Sequence, residues 1–235
     1  MNAGIYSLIK QCSLQCEFCP LWQIPEAEQT YLPAKEVITD LKTLARPGMH
    51  LHLGGGDPLL YPNLAELLRE VRSHFASVWL YTSGILYEAQ AEALRPVVDE
   101  LCLVFNHPQA EDNNRIAGTA HFKLLTSAVR IAQAVGQPVR LVLLTHCESA
   151  LFLPEAEELA QSLDVTLELR PVHQYLYARL TKETVDFIRR YQRVKNVELW
   201  PGELKPNRRG AKQCAGLPFS GRGWGEQAIR RWRKI

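Results

Sequence analysis

The chain has 235 residues, 46% hydrophobic and 22% charged, with a formal net charge of +2. This is ordinary globular composition with material for a sizeable core, so one large domain, or one with a short appendage, is expected. No apolar run approaches the ~20 residues of a membrane span, and the opening segment lacks the apolar stretch of a signal peptide, so no membrane partner is expected.

The first strand reads over Ile5-Tyr-Ser-Leu-Ile9. It runs into Lys10-Gln-Cys-Ser-Leu-Gln-Cys-Glu-Phe-Cys-Pro20, where Cys12, Cys16 and Cys19 are spaced C-x3-C-x2-C. Three thiolates on one short loop can hold three corners of a cubane iron–sulfur cluster and leave the fourth iron open. A structural zinc site wants four protein ligands, and a zinc knuckle here has to be completed from afar, by Cys147 or Cys214. The following segment, 20–32, is long for a βα connection, and long loops over a barrel mouth are often lids.

Amphipathic stretches and strand-like runs then alternate. Helical periodicity covers 33–45, 62–73, 87–95, 119–135, 154–163 and 181–193, with Pro33, Pro62 and Pro154 near first turns and Gly136 as a C-cap. Runs rich in Val, Leu and Ile mark strands at 49–53, 78–82, 100–105, 139–144 and 165–170. Six β–α units in succession imply a parallel sheet with right-handed crossovers. A closed eight-unit barrel takes ~250 residues. The expected fold class is therefore α/β, a partial (β/α)6 TIM-type barrel with parallel strands. Its core spans 1–200, and 201–235 forms a short basic C-terminal extension on or beside the barrel.

In α/β barrels the chemistry sits at the C-terminal strand ends, and motifs gather there. Strand two ends in Leu53-Gly-Gly-Gly-Asp-Pro-Leu59, whose glycines let the backbone approach a ligand. Strand three ends in Tyr81-Thr-Ser-Gly84. Strand four ends in Leu103-Val-Phe-Asn-His-Pro108 and continues to Asn114-Arg-Ile-Ala-Gly118. Alternation along strands sends His50, His52, Trp79, Tyr81, Cys102, Arg140, Thr166, Glu168 and Arg170 into the lumen. Buried charges need partners, so Arg140 and Glu168 are expected to pair. His52, Tyr81, Glu168 and Arg170, nearer the mouth, are candidates for ligand contact, with His146 and His173 following at the rim.

The cysteine spacing, its place after strand one and the glycine turn thirty-odd residues on resemble the radical S-adenosylmethionine (radical SAM) superfamily. The likeness covers roughly residues 5–175 and is specific in the cysteines and the Gly-Gly-Asp-Pro turn. It implies a [4Fe-4S] cluster on Cys12, Cys16 and Cys19, with SAM bound through its amino and carboxylate groups at the open iron. Reductive cleavage of SAM then gives a 5′-deoxyadenosyl radical that abstracts hydrogen from a substrate: a small molecule, a peptide or a partner protein. By the same resemblance Phe18 borders the adenine. Gly54, Gly55, Gly56 and Asp57 line the methionine where the family carries Gly-Gly-Glu-Pro, and Ser83 replaces the Asn of Thr-Asn-Gly. Asn106 stands where many members end strand four in Ser-Leu-Asp, and it is the residue expected to serve the ribose. A low-potential electron donor, flavodoxin or ferredoxin, is implied, and an oxygen-sensitive cluster points to a reducing, cytoplasmic setting. Departures at Val104, Asn106 and Ala117 support an alternative, a non-catalytic metal-binding or regulatory protein on the same barrel.

The remaining cysteines, Cys102, Cys147 and Cys214, are too scattered for a secreted disulfide framework. Cys147, just past strand five, is a buried thiol or a hydrogen donor at the mouth. Residues 201–235 hold nine Lys or Arg against two acidic residues, interleaved with Trp224 and Trp232. The simpler reading is a segment matched to the acidic body of the chain. The alternative is an RNA-directed member, because basic and aromatic residues together can track a nucleic-acid backbone.

Overall fold

In a computed structural model describing residues 3–19, 21–23, 31–145, 149–171 and 198–199, one sheet of seven parallel strands runs in sequence order. The strands are β1 (Ala3–Ile9), β2 (His50–Gly55), β3 (Ser77–Thr82), β4 (Glu100–Phe105), β5 (Val139–Thr145), β6 (Thr166–Pro171) and β7 (Glu198–Leu199). The helices are α1 (Ala34–Leu44), α2 (Leu64–Val71), α3 (Ala91–Leu94), α4 (Ala110–Ala117), α5 (His121–Ala134) and α6 (Leu153–Ser162). Among the described residues β1 pairs only with β2, so the sheet stays open along its first strand. This is the expected partial barrel, extended by β7, whose two residues carry too little pattern to be read from sequence.

Strand alternation divides the sheet as the sequence predicts. Leu51, Leu53, Val78, Leu80, Leu101, Leu103, Phe105, Leu141, Leu143, Leu167 and Leu169 form one buried core with Leu64, Leu68, Leu125, Val129, Leu153 and Ala156 of the covering helices. The opposite parity faces the lumen, where Tyr81, Cys102 and Val142 cluster with Trp79 and Val104. Gly118, at φ 70°, closes α4 in the left-handed conformation, and its N–H returns to the Arg115 carbonyl.

Helix boundaries depart from the periodicity in three places. Residues 87–95 hold a 3-10 turn at Glu88–Gln90 and a single turn of α3 rather than one helix. Helix α2 gives way to a 3-10 turn at Arg72–His74. Helix α4 occupies a stretch to which the periodicity assigns no helix, because Asn113 and Asn114 are weak helix formers and only Ile116 and Ala117 mark an apolar face. The expected helix 181–193, the rim residues His146, Cys147 and His173, Cys214, most of segment 20–32 and the extension 201–235 lie outside the described residues. Within the described residues no helix is long and apolar enough to cross a membrane.

Candidate functional site

The cysteine loop leaves β1 at the C-terminal rim and is gripped from two sides. On one side the Gly56 N–H donates to the Ile9 carbonyl at 2.7 Å, and the Asp57 N–H to the Gln11 carbonyl at 2.8 Å. The approach is so close that a Cβ on Gly55, already at φ 119°, would lie 2.4 Å from the Ile9 oxygen. One on Gly56 would lie 1.9 Å from the Gln11 oxygen. On the other side the N–H groups of Gln15 and Glu17 donate to the carbonyls of Ala117 and Ile116, both at 3.0 Å. These are the last two carbonyls of α4, which have no acceptor role inside the helix. The segment 114–118, read from sequence as part of a ligand site, thus backs the cysteine loop.

Cys12, Cys16 and Cys19 are free thiols of intermediate exposure. Burial pushes Cys12 up to about 11 and Cys16 up to about 12, and it raises Cys19 as well. Two donors oppose that effect by stabilising sulfur charge. The Leu14 N–H points at Cys12 Sγ at 3.5 Å, and Asn106 Nδ2 points at Cys16 Sγ at 3.5 Å. The thiols also feel one another: charge on Cys19 raises both Cys12 and Cys16, and charge on Cys12 raises Cys16. Phe18 and Ile116 bury an apolar wall against Cys16, Cys19 and Leu144.

Below the loop lies a buried polar network. Asp57 is fully buried. Its carboxylate accepts from Ser13 Oγ at 3.1 Å, the Leu59 N–H at 3.2 Å, Thr82 Oγ1 at 2.6 Å, and Ser83 Oγ in a short bond. A second chain starts at the Asn106 N–H, which donates to Asn113 Oδ1 at 2.9 Å. Asn113 Nδ2 then meets His121 Nδ1 at 3.1 Å, and His121 Nε2 meets the Ser83 carbonyl at 2.9 Å. An amide donor at Nδ1 and a carbonyl at Nε2 assign the proton to Nε2 of a neutral ring, in keeping with the lowering of His121 by burial. Sequence reading singled out neither Asn113 nor His121, nor Ser13 and Thr82. Ser13 and Thr82 are polar residues within quoted motifs, and Asn113 and His121 flank one.

The lumen is polar and aromatic as strand parity predicts. Arg140 pairs with Glu100 at 2.9 Å, lies 3.7 Å from Glu168 and covers the Trp79 ring at 4.3 Å. The expected Arg140–Glu168 pair is present, with Glu100 as the nearer partner. Arg170 lies 3.7 Å over the Tyr81 ring and 3.5 Å from Glu168. Tyr81 Oη meets His52 Nδ1 at 3.0 Å. Burial, then Arg170, His50 and Arg140, lower His52 to about 4, so its ring is neutral. Gly54 lies beside this wall. A Cβ there would meet Tyr81 Cβ at 3.9 Å, an ordinary contact, so its missing side chain leaves room in the lumen.

Of the residues predicted for SAM, Gly54 lies beside Tyr81 and Gly55 beside Ile9, while Phe18, Gly56, Ser83 and Asn106 belong to the cysteine loop or touch it. Asp57 is turned beneath it. Asn106 reaches the Cys16 sulfur.

A parallel α/β partial barrel with three free thiols on the loop after its first strand defines a class of metal-cluster proteins. Residues 6–149 match the radical SAM superfamily, and the chain belongs to it. It is 28% identical over 184 residues to a PqqA peptide cyclase of Granulibacter bethesdensis, covering 76% of this chain and 49% of that one. A GTP 3′,8-cyclase of Microcystis aeruginosa is 35% identical over 99 residues, covering 37% and 29%. The chain spans about half the length of the PqqA peptide cyclases it matches. Among solved structures, Streptococcus suis SuiB bound to its precursor peptide SuiA superposes with a TM-score of 0.67 at 13% identity. That match covers 84% of this chain and 48% of SuiB, and at this identity it reports the fold alone. Membership brings the family's cofactor pair, a [4Fe-4S] cluster and SAM. The donor chemistry fits the pair: three soft thiols in an apolar, hydrogen-bonded setting suit iron–sulfur ligation, while among the described residues no three ligands converge on a single-ion site, and a Cβ on Gly54 meets nothing closer than 3.9 Å.

Proposed function

We propose that this chain is the catalytic core of a radical SAM enzyme that modifies a peptide. Cys12, Cys16 and Cys19 hold the [4Fe-4S] cluster. When bound, the cluster and SAM supply a 5′-deoxyadenosyl radical for hydrogen abstraction, using an electron from a flavodoxin or ferredoxin. The chain's own residues bind, orient and exclude water. Backbone groups of Gly54, Gly55 and Gly56 face the methionine. Phe18 and Ile116 shield the adenine side. Asn106 donates toward the Cys16 sulfur, which steadies negative charge on the cluster. Ser83 and Asp57 fix the floor.

The observation that carries this reading is the loop of three thiols clamped between the Gly-Gly-Gly-Asp turn and the end of α4. The peptide reading rests on relatives. The match to a PqqA peptide cyclase runs over 76% of the chain, whereas the match to a GTP 3′,8-cyclase stops at 37%. A lumen carrying Arg170, Glu168, His52 and Tyr81 suits a polar polymer with charged and carbonyl groups. A core over 1–200, a basic extension over 201–235 and a cytoplasmic setting complete the proposal.

The test is anaerobic reconstitution with iron and sulfide, followed by reduction with SAM present. The protein is expected to bind four irons and release 5′-deoxyadenosine, and Cys12→Ala, Cys16→Ala and Cys19→Ala each abolish this. A wild-type protein that binds iron and yields no 5′-deoxyadenosine overturns the catalytic reading. Turnover is expected to rise when a precursor peptide encoded beside the gene is added. A response to GTP in its place overturns the peptide class.

A further inference from the structure

The acidic residue of the glycine turn carries an assignment beyond SAM contact. A carboxylate offers about four acceptor positions, and those of Asp57 are all taken. Oδ1 accepts from the Leu59 N–H and Thr82 Oγ1, and Oδ2 from Ser13 Oγ and Ser83 Oγ. The residue is fully buried. An ammonium group from a ligand therefore has neither a path to this carboxylate nor a vacant lone pair on it.

The four donors come from three separate segments. Ser13 lies in the cysteine loop beside Cys12, Leu59 in the turn itself, and Thr82 and Ser83 at the end of β3. Two of the hydroxyls pass the restraint on. The Gly84 N–H donates to Thr82 Oγ1 at 3.1 Å, and the Ile85 N–H donates to Ser83 Oγ at 3.3 Å. Hydrogen bonds arranged in series polarise one another and strengthen, and bonds to a carboxylate are the strong kind. Side-chain length matters here. Bonds of 2.6 and 3.2 Å on Oδ1, and of 3.1 Å with a still shorter one on Oδ2, leave no space for the extra methylene of glutamate, about 1.5 Å.

From this geometry we propose that Asp57 is a positioning residue. It locks the Cys12 corner of the cysteine loop to the ends of β2 and β3, and it makes no contact with SAM. The cluster function of the loop rests on the reading above. The lock itself does not, and it can be read in protein without metal.

The experiment is timed alkylation of metal-free protein by iodoacetamide under anaerobic conditions, with each cysteine followed by peptide mass. Asp57→Asn and Ser13→Ala are each expected to speed alkylation of Cys12 about tenfold, the factor that loss of one hydrogen bond to a charged group accounts for. Cys102, fully buried in the lumen wall, serves as internal reference and keeps its rate, which separates a loosened loop from a loosened fold. The double variant is expected to match the faster single variant, because both changes remove one interaction. Asp57→Glu is expected to behave like Asp57→Asn. In reconstituted protein both single variants lose iron faster. Wild-type alkylation at Cys12 in both single variants, with SAM affinity lost in Asp57→Asn alone, overturns the proposal and returns Asp57 to the ligand. If no variant, nor the wild type, binds iron, the cluster reading fails while the alkylation result still decides the lock.

Discussion

Replacing Gly56 with alanine sets a methyl group 1.9 Å from the Gln11 carbonyl oxygen, 2.6 Å from its carbon and 2.7 Å from the Lys10 oxygen. All three atoms are main chain, so no side chain can rotate away. Reaching an ordinary contact distance needs the cysteine loop to retreat by more than an ångström. That retreat breaks the Gly56-to-Ile9 and Asp57-to-Gln11 bonds, each contributing about 1 kcal/mol. Forcing a methylene into a packed site costs about 1–3 kcal/mol more. The local cost is thus about 3–5 kcal/mol, borne by the loop rather than by the leucine-rich outer face of the sheet. Gly56→Ala is therefore expected to lose most of its iron on reconstitution, while it keeps its far-UV spectrum at about 25 °C and melts about 6–20 °C lower. Gly54→Ala is the matched control. Its Cβ meets nothing closer than 3.9 Å, so iron is retained and SAM affinity falls. Full iron content in Gly56→Ala, with unchanged cysteine alkylation, refutes the reasoning.

Arg140→Met removes the cation paired with Glu100 and one of the two cations beside Glu168, which keeps Arg170. Loss of the charged hydrogen bond to Glu100 costs about 1.5–3 kcal/mol, seen as a lower urea midpoint with unchanged slope. Asn106→Ala removes the N–H directed at the Cys16 sulfur. The cluster potential is expected to fall, read by EPR-monitored redox titration. Gly118→Ala strains a left-handed cap and brings a Cβ to 3.0 Å from Gln15 Cβ. Expected are a loss of about 1 kcal/mol and faster cysteine alkylation. His52 is lowered to about 4 by burial, so between the ordinary value near 6.5 and 4 the unfolded chain takes up a proton that the folded one refuses. Stability is thus full above about pH 6.5 and declines as pH falls toward 4. His107 and His121 are lowered too and add the same sign, so His52→Gln flattens only part of the decline in a melting series.

Much of this architecture is legible in the sequence. Strand parity alone separated Leu51 and Leu53 from His52, because a period of two fixes faces wherever one side is packed. The cysteines and the glycine turn were legible because ligation and close backbone approach restrict residue type. The partnerships were not. Nothing local joins Ser13 to Asp57, or Ile116 to Glu17, and each pair meets only through the sheet order. Asp57 looked like a ligand contact because its motif is one. Its burial beneath the turn is tertiary information. Helix α4 carries little local signal because its apolar face is a single turn wide and Asp112, Asn113 and Asn114 are weak helix formers.

The cysteine triad precedes in the chain both walls that hold it. One wall stands some forty residues later, at Gly56 and Asp57, and the other about a hundred residues later, at Ile116 and Ala117. During synthesis the thiols therefore emerge long before their pocket does, and pay a loop-closure entropy that only the later strands can repay. The walls of the cysteine loop are therefore complete only once β4 and α4 have joined the sheet.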